Sequence, residues 1–115
     1  MSTRSTIGMT LTNEMIVCIY CYHDGYPDHV GQILAKYYDT EEKIKDLMKG
    51  GHLEWIESKL SLCDYTHRGS YPLPENCCPV TRRSLGDFIQ KIREENHDYG
   101  YIYRDGKWHV YNPNE

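Results

Sequence analysis

Cys21, His23 and Asp24 put a thiol, an imidazole and a carboxylate within four positions of the stretch IYCYHDGYP, residues 19–27. Those types suit a nucleophile, a base and an orienting acid, as in a small nucleotide-processing enzyme. On an extended strand Cys21 and His23 share a face, but their Cβ atoms then stand about 7 Å apart, long for a working hydrogen bond. No oxyanion hole is evident, so the competing reading is a packed thiol beside a surface histidine, and no catalytic residue is assigned. Cys18 and Cys21 have the C-x-x-C spacing of zinc knuckles and redox dithiols. CIYC is built of strand formers, however, and a separation of three on a strand sends the sulfurs to opposite faces. Cys63, His67, Cys77 and Cys78 form a second conceivable cluster, in which the adjacent cysteines converge poorly on one ion. No metal and no cofactor are expected.

These residues need elements to hold them. Residues 6–12 alternate, with Ile7, Met9 and Leu11 on one side, which reads as a half-buried strand. MIVCIYCY, residues 15–22, is apolar on both faces and reads as a central strand, with Asn13-Glu14 as a two-residue turn between the two. Gly25 to Asp28 breaks the strand and opens a helix, with Pro27 in its first turn and Val30, Ile33, Leu34 and Tyr37 facing inward. Thr40 caps a second helix that buries Ile44, Leu47 and Met48 and stops at Gly50-Gly51. HLEWIESKL, residues 52–60, could add two turns with Leu53, Ile56 and Leu60 inward. Residues 61–80 carry three of the five prolines and read as a long functional or mobile loop. Ser84 and Asp87 mark the start of a helix with Leu85, Phe88, Ile89 and Ile92 on its apolar face. Asp105-Gly106 between alternating segments predicts a type I′ hairpin. The expectation is one α+β domain spanning residues 1–115. Its sheet is antiparallel, of about four strands from an N-terminal and a C-terminal hairpin, with helices packed on one face.

With Asn13-Glu14 as the turn, Arg4 falls opposite His23 and Thr6 opposite Cys21. Arg4, Ser5, Thr6, His23, Asp24 and Tyr26 would then gather beside the start of the first helix. Unpaired N–H groups there and a planar guanidinium suit a small anion. An Arg4–Asp24 ion pair pinning the N-terminus is the competing reading. The chain holds 11 tyrosines against one phenylalanine, an excess that suits half-buried positions and interfaces. In the last hairpin Tyr99, Tyr101, Tyr103, Trp108 and Val110 share one face, and Ile102, His109 and Tyr111 the other. One face must meet the helices. The other offers either a self-association surface, with Tyr101, Tyr103, Trp108 and Tyr111 as contacts, or a stacking platform for a planar ligand, with Trp108 as its base.

Composition narrows the classes further. A formal charge of −4 excludes general affinity for nucleic-acid backbone, although one or two local cations still allow a small anionic ligand. Apolar residues make up 39% and charged residues 26%, a balance that folds rather than stays disordered. No apolar run approaches the roughly 20 residues of a membrane helix. MSTRSTIGMT lacks the apolar core of a signal peptide, and five irregularly spaced cysteines suit reduced thiols.

MSTRSTIGM, IYCYHDGYPDHVGQIL and the closing DGKWHVY together resemble a widespread set of small uncharacterised accessory proteins of tailed bacteriophages and prophages. Those proteins begin with a Ser-Thr-Arg-Ser segment and an alternating strand. A tyrosine-cysteine strand then runs into Asp-Gly-Tyr-Pro and a Val-Gly helix start. The matching positions are Ser2, Thr3, Arg4, Ser5, Tyr20, Cys21, Asp24, Gly25, Tyr26, Pro27 and Gly31, while Tyr22-His23 departs from the family's order. The resemblance implies a phage product acting in the cytoplasm of the infected bacterial host, without supplying an activity. Accessory proteins of this kind often counter host defence. The leading expectation is therefore a non-enzymatic protein that sequesters a small anionic, nucleotide-derived immune signal. The alternatives are a protein–protein inhibitor of a host defence enzyme and the small enzyme built on Cys21, His23 and Asp24.

Overall fold

The computed structural model describes residues 3–67 and 73–113. β1 (Ser5–Thr10) and β2 (Ile16–Cys21) form the first hairpin. Its loop is not the expected two-residue turn. Glu14 N donates to Leu11 O at 3.1 Å, Leu11 N donates to Met15 O at 2.7 Å, and Glu14 takes φ of 67°. This is a three-residue loop closed by a left-handed residue. The extra residue slides the register by one, so that Ser5 pairs with Cys21 and Thr6 with Tyr20. Arg4 therefore falls level with Tyr22 rather than His23.

After β2 the chain makes a π-helical turn at Pro27–Gly31, followed by α1 (Gln32–Tyr37) and α2 (Glu41–Met48). The wide turn shifts the helical phase. Val30, Leu34 and Tyr38 are buried, while Tyr37, expected inside, is 40% exposed. Thr40 caps α2 by accepting from Lys43 N, and Ile44, Leu47 and Met48 are buried as expected. Residues 52–60 do not continue the helices. Gly51, at φ of 83°, turns the chain into β3 (Leu53–Trp55), which runs parallel to β2, and Leu60 is exposed.

The described parts of the 61–80 segment are not a structureless loop. They hold β4 (Asp64–Tyr65), a 3₁₀ turn at Glu75–Cys77, and the start of β5 (Val80–Arg82); residues 68–72 lie outside the described residues. α3 (Leu85–Glu94) is capped by Ser84, which accepts from Asp87 N, and it buries Phe88 and Ile92. β6 (Tyr99–Arg104) and β7 (Lys107–Tyr111) form the last hairpin across Asp105-Gly106, both at positive φ as a type I′ turn requires.

The expected antiparallel four-stranded sheet is overturned. Among the described residues the sheet is mixed and has seven strands, in the order β4-β3-β2-β1-β6-β7, with β5 paired to the other half of β2's free edge. The two hairpins join through a parallel β1–β6 pair, Ser5 to Met9 against Tyr99 to Tyr103. Parallel pairs need long crossovers, and α1–α2 and α3 lie in the two connections.

Nor are the helices confined to one face. Ile7, Met9, Ile19, Leu53 and Tyr101 meet α1 and α2 on one side, whereas Ile16, Cys18 and Ile102 meet Phe88 and Ile92 of α3 on the other. A Cβ on Gly100 would stand 2.7 Å from both Ile92 and Phe88, so a bare backbone there lets α3 settle onto the sheet. Among the described residues no helix is long and apolar enough to cross a membrane.

Candidate functional site

The corner after β2 packs against the start of β1, as the hairpin demands. Gly25 N donates to Thr3 O at 2.9 Å, and a Cβ on Gly25 would meet Ser5's side chain at the same distance. Of the residues expected to hold an anion, Ser5 and the main chain of Arg4 lie at this corner. The main chain of Arg4 is held by Asp98, whose Oδ2 accepts from Arg4 N at 3.0 Å. A surface hollow of about 260 Å³ lies here, lined by Thr3, Tyr26, Asp98 and Tyr99, and it presents that carboxylate. Ser5 is fully buried. His23 turns outward, its ring stacked on Trp55 at 4.1 Å and its Nε2 3.4 Å from Glu54 Oε1. Asp24 adopts φ of 53°, and Tyr26 is exposed. The helix begins as a π turn with Asp28 in it and continues as a six-residue α1, leaving no extended helix start to hold an anion.

Cys21 does not face the histidine ring. Its thiol donates to His23's main-chain oxygen at 3.5 Å, and burial pushes its pKa up to about 12. A thiol so protonated and enclosed is a core group. Cys18 sits on the opposite face of β2, in the α3 core, where burial likewise raises it to about 12. Among the described residues no group of three or more His, Cys, Asp or Glu side chains could hold a metal ion.

Trp108 is not brought to the corner either. It pairs with Tyr103, and Tyr103 with Met9, so it stands about five residues, roughly 16 Å, along the sheet from Arg4. Its indole donates to Tyr38 O at 2.8 Å. Tyr101 is buried with its hydroxyl on Gly25 O at 2.7 Å, and Tyr103's hydroxyl reaches Asp39 O at 3.0 Å. Tyr111 packs against the α3 core.

The side chains that do converge lie on the α3 side of the sheet. The corrected register and strand alternation send Thr6 and Tyr20 to that side. His52 arrives just before β3, Arg82 ends β5, and Glu95 and His97 follow α3, where Asn96 at φ of 58° turns the chain out of the helix. Tyr20 is the hub. Its hydroxyl donates to Glu95 Oε1 at 2.8 Å and accepts from Arg82 Nη2 at 2.7 Å, while Arg82 also reaches Glu95 at 3.3 Å. His52 stacks on the Tyr20 ring at 4.4 Å, and His97 meets it edge-on at 4.9 Å. Tyr22 closes the array, edge-on to both Tyr20 and His52 at 6.3 and 6.4 Å.

Burial governs the protonation of this cluster. It raises the Tyr20 pKa, and the bond to Glu95 raises it further, so the phenol stays protonated and donates. Burial lowers both His52 and His97. Tyr20 N donates to His52 Nδ1 at 3.0 Å, which puts the proton of the neutral ring on Nε2. His97 Nδ1 is 2.8 Å from Thr6 Oγ1, and its Nε2 lies 3.8 Å from Glu95 Oε2. Arg4 adds positive potential at Tyr22 and His97, and Arg82 at Tyr20 and His52, while Glu95 adds negative potential at all four and outweighs the arginine at Tyr22, His52 and His97. One side of the sheet thus carries aromatic rings, two neutral imidazoles and the opposed fields of two guanidinium groups and a carboxylate.

Of the residues expected at a site, Arg4, Ser5 and Thr6 touch this cluster or influence it. His52, Arg82 and the Glu95–His97 pair come from three separate segments with no shared motif. The one local signal was Thr6, Tyr20 and Tyr22, polar-tipped side chains on one face of the first hairpin. Comparison with family models, curated proteins and solved structures finds no match to this chain.

Proposed function

We propose that this chain is a non-enzymatic binding protein that captures a small anionic, nucleotide-derived ligand on the α3 side of its sheet. In the setting implied by the resemblance to phage accessory proteins, that ligand is a host immune signal and its capture is counter-defence. The observation that carries this reading is the array of Tyr20, Tyr22, His52 and His97 lying within the fields of Arg4 and Arg82. Aromatic rings receive a base by stacking, and guanidinium groups receive phosphate. Tyr22 and Arg4 reach the surface and would make first contact.

Calorimetry with cyclic dinucleotides and cyclic ADP-ribose isomers tests this reading. Binding of at least one is expected. A lost base stack costs about 1–3 kcal/mol, so Tyr22→Ala should weaken it roughly 5- to 100-fold, and Arg4→Ala should weaken it as well. A folded protein that binds none of them overturns the reading. The paired neutral imidazoles favour a second one, hydrolysis in place of capture, since a neutral imidazole can take the proton of an attacking water. Ligand recovered intact sustains capture. Multiple turnover that disappears in His52→Gln and His97→Gln replaces capture by hydrolysis.

A further inference from the structure

β7 is an outer strand of the sheet, and apart from its short length and Lys107 at its start it lacks the usual protections of an edge. It contains no proline, its pairing with β6 runs without a bulge from Gly100–Tyr111 to Arg104–Lys107, and its central residues are Trp108, His109 and Val110. In a two-residue hairpin the closing pair exchanges its hydrogen bonds. Lys107, His109 and Tyr111 therefore turn their main-chain groups to β6, and Trp108 and Val110 turn theirs outward. Beside this edge a mostly apolar groove of about 260 Å³ runs between β7 and the first helical segment, lined among others by Gly31, Gln32, Ala35, Trp108 and Val110. Val110 is 54% exposed, unusual for a valine at the middle of a strand.

We propose that the occupant of this edge is a second copy of the chain, joined by antiparallel β7–β7 pairing about a two-fold axis at His109. Two observations select a copy of itself over a foreign strand. First, the outward groups are self-complementary. An axis at His109 sets Trp108 opposite Val110 of the second copy, so the two residues that turn their N–H and C=O outward meet each other. The same pairing covers Val110 with an indole. It also sets the two His109 residues opposite each other at the axis, as a pair whose main-chain groups face β6 of their own chains.

Second, the helical stripe beside the groove is charge-complementary to itself. Asp28, Gln32 and Lys36 follow at intervals of four, all exposed, with the acid at one end and the base at the other. A two-fold near Gln32 runs the two stripes antiparallel, setting Asp28 against Lys36 of the second copy, twice. The product is one continuous sheet made of two seven-stranded halves.

Sedimentation equilibrium on the whole chain reads the outcome. The expected result is a mass twice the 13.6 kDa of the chain at high concentration, dissociating on dilution. Val110→Lys, which puts two ammonium groups into the joint, should raise the dissociation constant at least tenfold with the circular dichroism unchanged. Asp28→Lys and Lys36→Asp should each weaken association several-fold, and the double reversal should restore it. A monomer at every concentration overturns the proposal, whether or not the edge then takes up a foreign strand. So does a dimer indifferent to Val110→Lys, or a double reversal as weak as its single parents.

Discussion

The two faces of the sheet use aromatic polar atoms in different ways. On the α1–α2 side they end on main-chain carbonyls. Tyr38 donates to Glu57 O at 2.8 Å, Tyr65 to Leu47 O, Tyr101 to Gly25 O and Trp108 to Tyr38 O. The first ties a helix end to a loop, and the other three tie a helix or a loop to the sheet. On the α3 side Tyr20 ends on a carboxylate and a guanidinium, between two imidazoles. A hydroxyl on a carbonyl does one thing at every pH, whereas one inside a network of titratable groups responds to whatever enters or protonates that network. The tyrosine excess is thus two populations, one structural and one responsive.

The largest effect that separates the faces belongs to the apolar side. Ile19→Ala, at a position with no exposed surface, should cost about 2–5 kcal/mol in urea denaturation because little around it can collapse into the gap. A loss under 1 kcal/mol would show that the α1–α2 face does not carry the stability.

Next comes the network. Arg82→Met removes the guanidinium bonds to the Tyr20 oxygen and to Glu95, leaving Glu95 the Tyr20 hydroxyl as donor, and should cost about 1–2 kcal/mol, limited because Glu95 is 35% exposed and water can reach it. A neutral result would make the cluster dispensable to folding and sharpen its separation from the other face.

The smallest effect at neutral pH is the response to acid. His52 and His97 have folded pKa values below the ordinary 6.5 because burial disfavours their charged forms. As pH falls below about 6.5 the unfolded chain takes up protons that the folded chain refuses, so stability is complete above that value and declines toward the folded pKa values. The urea midpoint should drop between pH 7.5 and 5.5, and His97→Gln should flatten the decline. A midpoint that holds or rises over that range contradicts buried neutral imidazoles.

Much of the local architecture was legible. Thr40 and Ser84 as caps, the inward faces of α2 and α3 and the Asp105-Gly106 turn all follow from short-range chemistry. The hairpin register was missed by one residue, because a left-handed glutamate at position 14 looks no different in sequence from an ordinary turn residue. That single step moved Arg4 from the level of His23 to that of Tyr22. β3 was read as helix because Leu53, Ile56 and Leu60 fit a helical spacing by coincidence, and what decides the matter is pairing with β2. The site was less legible than the fold. Arg4, Ser5 and Thr6 were marked, but His52, Arg82 and the Glu95–His97 pair lie in three distant segments whose spacing could not announce them.

What the sequence determined alone is whatever depends on a few neighbouring residues: caps, a type I′ turn, which side of each strand or helix is apolar. Those preferences arise from backbone sterics and local hydrogen bonding and need no partner. Only the tertiary structure decided that β1 and β6 run parallel, that α3 covers the second face, and that two histidines flank Tyr20. Each of these joins segments 30 to 90 residues apart. Contacts at that range are chosen by competition among many possible pairings for the same strand edges, and no single segment records which one wins.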